Sequence, residues 1–272
     1  LEFFSRFTAI FTYLSGAQRR IGFYRYTMEG LYRGNLLTHK VQYNPLLHIS
    51  KTYLSLWQVI KTKSKSTPDL EEKIEDKEIQ MPKFVIPEEE KSPIWNKLKY
   101  LGVNEGLRLI LINPGEGIIP LREWPLDNFI FLTRRLLEDR KNFILIIGTK
   151  GASYKAEMIC KSVDNKRCLD LTGKTELTEV LSIFNIATSL ITNDCGLAHL
   201  ASLTTVKKFI FFGPESPQVY SPLGENTWVI YSGLPCSPCL SAFNHRNSHC
   251  KDNKCLKKIK LDEAYGVINK HL

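Results

Sequence analysis

The residues of this chain that are best suited to chemistry lie in residues 191–201, which read ITNDCGLAHLA. An apolar, strand-like run leads into this segment, and Asn193 or Asp194 could cap a helix that begins near Gly196. The free amide groups and positive dipole end of such a helix suit a phosphate or diphosphate, and glycine permits its close approach. His199, about one turn into the helix, could bind a phosphate or a sugar, although a lone histidine there more often has a structural role.

A second segment with similar potential follows the apolar run at residues 107–113, which ends in Pro114 and Gly115. The glycine would let a ligand approach the backbone. Arg122 and Trp124 come shortly afterwards, just before a predicted helix. An arginine at a helix entrance can neutralise a phosphate, whereas the alternative is a surface pair in which the guanidinium stacks on the indole ring.

Both segments belong to a succession of predicted strands and helices. Short apolar runs typical of buried parallel strands alternate with stretches of helical periodicity. The predicted strands are residues 107–113, 143–147, 167–171, 189–192, 206–212 and 228–231, and helices are predicted to begin near Pro125, Tyr154, Thr178 and Gly196. We therefore expect an α/β fold with an open, mostly parallel, doubly wound sheet, whose ligands bind at the carboxyl ends of the strands.

The composition favours an ordinary globular protein, because 43% of the 272 residues are apolar and no apolar run approaches the roughly 20 residues that cross a bilayer. The first residue is Leu, and apolar residues recur at helical spacing among residues 3–14. This pattern favours an amphipathic helix over a secretory signal. We expect the sequence to begin at an interior point of a longer gene product.

The net charge of +9 is concentrated in residues 1–67, which hold ten Lys and Arg against two Glu. Interleaved aromatic residues make this segment suitable for a phosphorylated glycolipid, an anionic membrane face or nucleic acid, and the alternative is a solvated basic face. Nucleic acid is disfavoured because the chain has no recognisable recognition module. The candidate residues for acceptor contact are Arg19, Arg20, Arg25, His39 and His48.

Seven cysteines are present, and four of them have the spacing C-x2-C-x10-C-x4-C, from Cys236 and Cys239 to Cys250 and Cys255. Four thiolates with this spacing could hold a structural zinc ion, and the alternative is a cysteine-rich loop without metal. An odd cysteine count favours reduced thiols in the cytoplasm.

An ordered series of motifs resembles the carboxy-terminal domain of family 9 glycosyltransferases, which include the lipopolysaccharide heptosyltransferases. The motifs are NPG, REWP, LTGKTELTEV, SLITNDCGLAHLA, FFGPESP, YSPLG and CSPC. The resemblance covers residues 104–272, and parts of residues 14–48 resemble the later half of the family's amino-terminal domain. It implies a GT-B fold: a partial acceptor-binding domain at residues 1–67, a charged linker at 68–103 and a Rossmann-like donor-binding domain at 104–272. Residues 64–91 carry the polar, charged, proline-containing composition of such a linker.

The same resemblance implies an inverting transfer of a sugar, with heptose from ADP-heptose as the family's common case, to a glycolipid of the lipopolysaccharide core type. No metal or cofactor would be required, and the enzyme would be cytoplasmic, peripheral on the inner face of the cytoplasmic membrane. Asp194 would bind the donor sugar. The remaining donor-binding positions carried over from the family are Gly117, Ile118, Arg122, Lys174, Cys195, Gly196 and His199.

Two departures from the family pattern bear on specificity and catalysis. The acidic residue expected soon after the second strand is missing from residues 150–154, and Glu157 is a doubtful substitute. The family's general base is expected to be an Asp that precedes this sequence, and neither Glu2 nor Glu29 lies in a suitable loop. We therefore assign no catalytic residue, and a non-catalytic nucleotide-sugar-binding remnant stays open as the alternative to an active transferase.

Overall fold

The computed structural model describes residues 6–24, 36–62, 73–75, 79–115, 119–242, 244 and 246–272. The chain forms two compact units. The smaller unit comprises Leu1–Gln80, Gln218–Tyr220 and Leu240–Ser248, and the larger comprises Met81–Pro217, Ser221–Cys239 and His249–Leu272. Within the described residues, no helix combines the length and the apolar composition needed to cross a membrane.

The larger unit is built on a six-stranded sheet in which every neighbouring pair of strands is parallel. Its strands are β3 (Arg108–Asn113), β4 (Asn142–Ile146), β5 (Cys168–Asp170), β6 (Ser189–Asn193), β7 (Lys207–Phe212) and β8 (Thr227–Tyr231). The spatial order is β5-β4-β3-β6-β7-β8. This confirms the predicted doubly wound sheet.

Helices cover both faces of this sheet. The four central strands β3, β4, β6 and β7 are therefore buried and read as apolar runs, whereas the edge strands β5 and β8 are partly exposed. The helices of this unit are α3 (Glu88–Tyr100), α4 (Leu126–Leu137), α5 (Ser153–Val163), α6 (Leu177–Ile186), α7 (Gly196–Ala201), α9 (Lys254–Lys257) and α10 (Leu261–His271). The short helix α8 (Pro217–Tyr220) contributes its last three residues to the smaller unit. Alternate residues of β3 enter opposite cores: Ile110 and Ile112 belong to one apolar cluster, and Leu109 and Leu111 to the other.

The helix that follows β3 has the predicted apolar face. Phe129, Leu132, Leu136 and Leu137 are at most 5% exposed and lie in the same apolar cluster as Ile110. Their spacing places them along one side of α4, which packs this side against the sheet. The packing fixes where the helix begins, and therefore fixes the short segment before it that contains Arg122.

The order of the strands creates a topological switch point between β3 and β6. The chain builds the sheet outward from β3 through β4 to β5, then crosses back to place β6 on the other side of β3. The connections after β3 and β6 therefore leave toward opposite faces of the sheet and open a crevice at their carboxyl ends. Asn113 ends β3 and Asn193 ends β6, so both predicted functional segments meet there.

The larger unit also contains two long helices, α3 and α10, that the sequence patterns did not predict. Part of the region predicted as a linker, residues 68–103, forms α3, whose Ile94 and Leu98 are buried in the cluster with Leu109. Its Lys97 donates a 2.8 Å hydrogen bond to Glu179 of α6. The second is the terminal helix α10, whose Ala264 and Ile268 are buried.

The smaller unit contains α1 (Arg6–Leu14), β1 (Ile21–Phe23), β2 (His39–Val41) and α2 (Ile49–Gln58). The two strands form a parallel pair, and the core is made of Phe23, Val41, Tyr43 and Val59. The predicted amino-terminal helix is present, but Phe7, Phe11 and Leu14 on it are more than half exposed.

All seven cysteines are free thiols. The Sγ atoms of Cys160 and Cys168 lie 3.7 Å apart, and the hydrogen bond between them lowers the pKa of Cys160 and raises that of Cys168. Of the four closely spaced cysteines, Cys236 is exposed and Cys255 is buried. Among the described residues, no three His, Cys, Asp or Glu side chains are grouped as a metal site requires.

Candidate functional site

A cavity of about 330 Å³ opens at the switch point of the larger unit. It is formed by the carboxyl ends of β3 and β6, the start of α7 and the short segment before α4. Its lining residues are Asn113, Gly115, Ile119, Arg122, Glu123, Asn193, Asp194, Cys195, Gly196 and Leu197. The cavity lies where an open α/β sheet ordinarily binds its ligand, and its volume is that of a small-molecule site.

The main charged pair in this cavity is formed by Arg122 and Asp194. Both Nε and one terminal nitrogen of the guanidinium donate to Oδ2 of Asp194, at 3.2 and 2.5 Å. The Asp194 side chain is 4% exposed, whereas that of Arg122 is 21% exposed. The carboxylate is thus neutralised in place, and the arginine keeps a face toward the opening of the cavity. A guanidinium held in this way can bind an anion without rearranging its own support.

A second ion pair lies beside the first. Lys155 of α5 donates to Glu123 Oε2 at 2.5 Å, and its ammonium also lies 3.4 Å from the carbonyl oxygen of Gly115. Gly115 has a φ of +95°, and a Cβ atom built there would lie 2.7 Å from Glu123 Oε1. Glycine is therefore required at this position both for the backbone conformation and for space.

Two buried asparagines organise the loops around the cavity. Asn113 Oδ1 accepts a 2.8 Å hydrogen bond from the Gly115 N–H, which closes the turn after β3. Asn193 Oδ1 accepts from the Trp124 N–H at 2.9 Å, and its Nδ2 donates to the Pro114 carbonyl at 3.0 Å. The expectation that Asn193 or Asp194 caps α7 is wrong, because Cys195 is the N-cap residue and makes no side-chain capping bond.

Trp124 anchors the segment that carries Arg122 to the core. Its indole is 2% exposed, stacks on Phe211 with ring centroids 4.2 Å apart, and donates from Nε1 to the Ile259 carbonyl at 3.2 Å. Asn253 adds a 2.7 Å hydrogen bond to the carbonyl of Glu123. The sequence alternative, in which Arg122 stacks on Trp124 at the surface, is therefore wrong: the indole is buried and the guanidinium pairs with Asp194.

The start of α7 lines the cavity through Cys195 and Gly196. The Cys195 thiol lies 3.2 Å from Thr192 Oγ1, and burial raises its pKa, so it is a neutral thiol at pH 7. A Cβ atom built on Gly196 meets no atom within 4 Å. The cavity is consequently open above the first turn of α7, where backbone N–H groups lack helical partners.

Four of the eight predicted donor-binding residues line this cavity, namely Arg122, Asp194, Cys195 and Gly196. The described lining does not include His199, which is exposed on α7, or Lys174, which donates to the Asp170 carbonyl at 2.8 Å. Gly117 and Ile118 lie outside the described residues. Their contacts with a ligand therefore stay predictions, as does that of Glu157, which pairs with Lys161 on the exposed side of α5.

The residues predicted for acceptor contact have structural partners within the smaller unit. Arg19 donates to the Ile60 carbonyl at 2.7 Å, and Arg20 donates to the Leu36 and Ala17 carbonyls. His39 is buried, with its ring nitrogens within hydrogen-bond distance of Thr38 and Thr62. His48 is the N-cap residue of α2, and Arg25 lies outside the described residues.

Comparison with known proteins connects this chain to one family. The family model "Glycosyltransferase family 9 (heptosyltransferase)" matches residues 7–249. Lipooligosaccharide heptosyltransferase 2 of Campylobacter jejuni is 25% identical over 184 residues, which are 64% of this chain and 55% of that protein. The chain thus spans about half the length of that curated relative.

Solved structures have the same fold. Escherichia coli ADP-heptose LPS heptosyltransferase II matches with a TM-score of 0.70 at 20% identity, covering 98% of this chain and 73% of that one. Escherichia coli heptosyltransferase WaaC with ADP matches with a TM-score of 0.53 at 14% identity, covering 87% and 61%. The GT-B type of α/β fold expected from the motifs is confirmed. Because the family model matches most of its length, the chain belongs to glycosyltransferase family 9.

Proposed function

We propose that the cavity at the ends of β3 and β6 binds the diphosphate of a nucleotide-sugar donor, and that the protein is a heptosyltransferase. The reaction is an inverting transfer of heptose from ADP-heptose to a lipopolysaccharide core-type glycolipid. Family membership and the likeness to an E. coli heptosyltransferase solved with ADP support this proposal. The single observation that carries it is the Arg122–Asp194 pair inside the cavity.

The chemistry of the cavity suits a nucleoside diphosphate sugar. Arg122 neutralises phosphate charge, and the amides of Cys195 and Gly196 at the start of α7 add hydrogen-bond donors. Asp194 accepts hydrogen bonds from hydroxyl groups of the sugar. The proposed reaction needs no metal ion or cofactor, since the arginine performs the charge neutralisation that Mg²⁺ performs in many phosphate sites.

The acceptor in this proposal is a phosphorylated glycolipid, bound by the basic amino-terminal part of the chain at the inner face of the cytoplasmic membrane. Residues 1–67 carry nearly all of the net positive charge. Such a segment is attracted to anionic lipid headgroups within about a Debye length of the surface. Arg6, Lys40 and Lys51 are three of the basic residues that contribute this charge.

A second candidate function is donor binding without turnover. Both carboxylates that line the described cavity are engaged in ion pairs, Asp194 with Arg122 and Glu123 with Lys155. A general base must instead be available to accept the proton of the acceptor hydroxyl. If no other part of the protein supplies this base, the chain binds the donor and does not transfer the sugar.

The test is isothermal titration of ADP, UDP, GDP and ADP-heptose into the wild type, Arg122→Ala and the exposed control Arg140→Ala. Circular dichroism establishes that each variant is folded. Saturable binding of ADP and ADP-heptose by the wild type and the control, weakened at least tenfold in Arg122→Ala, is expected from loss of a charge-assisted bond worth about 1.5–3 kcal/mol. Folded wild-type protein that binds no nucleotide would contradict the donor site.

A transfer assay separates the two candidate functions. ADP-heptose and a heptose-deficient core glycolipid are incubated with the protein, with and without EDTA, and the glycolipid product is followed by mass spectrometry. Product formation that is unaffected by EDTA supports the metal-independent transferase. Nucleotide binding without product supports the binding-only alternative.

A further inference from the structure

Asn193 occupies the junction of the two segments that form the cavity. It is the last residue of β6 and is 2% exposed. Its carboxamide accepts from the Trp124 N–H at 2.9 Å and donates to the Pro114 carbonyl at 3.0 Å. One side chain therefore binds both ends of the connection between β3 and α4, although Pro114 and Trp124 lie 79 and 69 residues away from it in sequence.

Asp194, the next residue in the chain, binds the same segment through the side chain of Arg122. Asp194 binds the guanidinium of Arg122, while Asn193 binds the backbone of Trp124, two residues later. Two consecutive side chains at the end of β6 thus hold residues 122–124 at two points. A rigid backbone limits where the Arg122 side chain can reach, so the contact to Trp124 controls the contact to Asp194.

The chemistry of both contacts specifies asparagine. A single planar group must accept from an N–H on one side and donate to a carbonyl on the other, and a carboxamide does both. Aspartate keeps the acceptor but places an oxygen against the Pro114 carbonyl, and alanine loses both bonds. The Nδ2 atom also lies 3.0 Å from the position that a Cβ of Gly115 would occupy, so a side chain at position 115 would crowd the carboxamide.

We propose that Asn193 is a positioning residue for the donor site: it fixes the segment 122–124 so that Arg122 is held where the diphosphate binds. This inference rests on the proposed function, because it concerns the same cavity. Its effect on the ligand passes through Arg122, and this is the property that distinguishes it from a residue that only stabilises the fold.

A double-mutant cycle measures this property. The Kd of ADP is measured for the wild type, Asn193→Ala, Arg122→Ala and the double variant. We expect Asn193→Ala to weaken ADP binding at least tenfold in the wild-type background and less than twofold in the Arg122→Ala background. The matched control is Asn185→Ala, which removes a similar side-chain bond to the Leu181 carbonyl on α6 and leaves ADP binding unchanged.

An equal loss of affinity in both backgrounds, or no loss in the wild-type background, overturns the positioning role. Failure of the wild type to bind ADP contradicts the proposed function instead, and a second measurement then tests the inference. Amide exchange of Trp124, followed by ¹⁵N NMR, should be at least tenfold faster in Asn193→Ala than in the wild type, and slower in Asn193→Asp, which keeps the acceptor, than in Asn193→Ala. Unchanged exchange in Asn193→Ala overturns the inference whatever the ligand.

Discussion

The guanidinium of Arg122 directs two hydrogen bonds to a single oxygen of the Asp194 carboxylate, and the two partners differ in exposure. The Asp194 side chain is 4% exposed and that of Arg122 is 21% exposed. Water can therefore solvate the arginine when its partner is removed, but it cannot solvate the aspartate to the same extent. The two halves of this pair should respond unequally to substitution.

We expect Arg122→Ala to lower the free energy of unfolding by about 3 kcal/mol, because it leaves a buried carboxylate without its counter-charge. Asp194→Asn should cost about 1 kcal/mol or less, since the exposed face of the guanidinium meets solvent. Urea unfolding followed by circular dichroism measures both, with Arg140→Ala as the surface control. Equal losses for the two variants would show that burial does not set the energetics of this pair.

Alanine substitutions at the two cavity glycines should have different effects, one on the stability of the fold and the other on ligand binding. Gly115→Ala places a Cβ 2.7 Å from Glu123 Oε1 at a φ of +95°, and we expect it to destabilise the protein by about 2 kcal/mol. A Cβ on Gly196 meets no protein atom, so Gly196→Ala should leave the melting temperature within about 2 °C of wild type. The same methyl group enters the proposed ligand space and should weaken ADP binding about tenfold. Wild-type ADP affinity in Gly196→Ala would exclude α7 from the ligand site.

Lys208 of β7 is 1% exposed, and burial lowers its pKa. A base with a depressed pKa in the folded state costs stability while the unfolded chain is protonated, and this cost disappears as pH rises above about 10.4. Lys208→Met should therefore raise the free energy of unfolding by about 1 kcal/mol at pH 7, with the gain shrinking between pH 7 and 10.5. Lys207→Met, which removes a 2.7 Å bond to the His271 carbonyl, should give no such gain.

A destabilised Lys208→Met variant at pH 7 would indicate that the buried ammonium is a net stabilising group. A gain that persists undiminished at pH 10.5 would show that its origin is packing rather than charge. Chemical denaturation at four pH values between 7 and 10.5 distinguishes these outcomes.

The ion pair between Lys97 of α3 and Glu179 of α6 should be sensitive to acid. The hydrogen bond from Lys97, followed by the bond from the Glu176 N–H, lowers the pKa of Glu179. A carboxylate with a depressed folded-state pKa stabilises the fold above its unfolded pKa of about 4.3, and this contribution is lost as pH falls through the folded-state pKa. The stability difference between wild type and Glu179→Gln should therefore be constant from pH 6 to 8 and shrink below pH 5.

The control for this acid effect is Glu157→Gln, which removes an exposed pair with Lys161 and should change stability by less than about 0.5 kcal/mol at any pH. If the difference between wild type and Glu179→Gln stays constant down to pH 3, the Lys97 contact does not contribute through its charge.

The central strands β3, β4, β6 and β7 were predictable because each is buried on both faces and therefore reads as an apolar run. The helix α4 was predictable from the spacing of Phe129, Leu132, Leu136 and Leu137. The helix α3 was missed because its charged composition masked the spacing of Ile94 and Leu98, and α10 was missed although Ala264 and Ile268 have helical spacing. The strands β1 and β2 were not predicted, because each is short and neither lies in an apolar run.

The site was predictable as a location, because the motifs around Asn113 and Asp194 both follow strands that end at one edge of the sheet. The contacts within it were not predictable. Asn193 meets Trp124 and Pro114 only because β6 returns to lie beside β3, and no local signal indicates this pairing. Arg122 and Asp194 were each assigned to the ligand, but their pairing depends on the same tertiary arrangement.

The most direct test of the donor site is hydrogen–deuterium exchange of the whole chain with and without saturating ADP. We expect ADP to slow exchange in peptides that contain residues 119–124 and 194–199, with no change in peptides from α10. Protection confined to other parts of the chain, under conditions where ADP is bound, would contradict the assignment of the cavity between β3 and β6 as the nucleotide-sugar site.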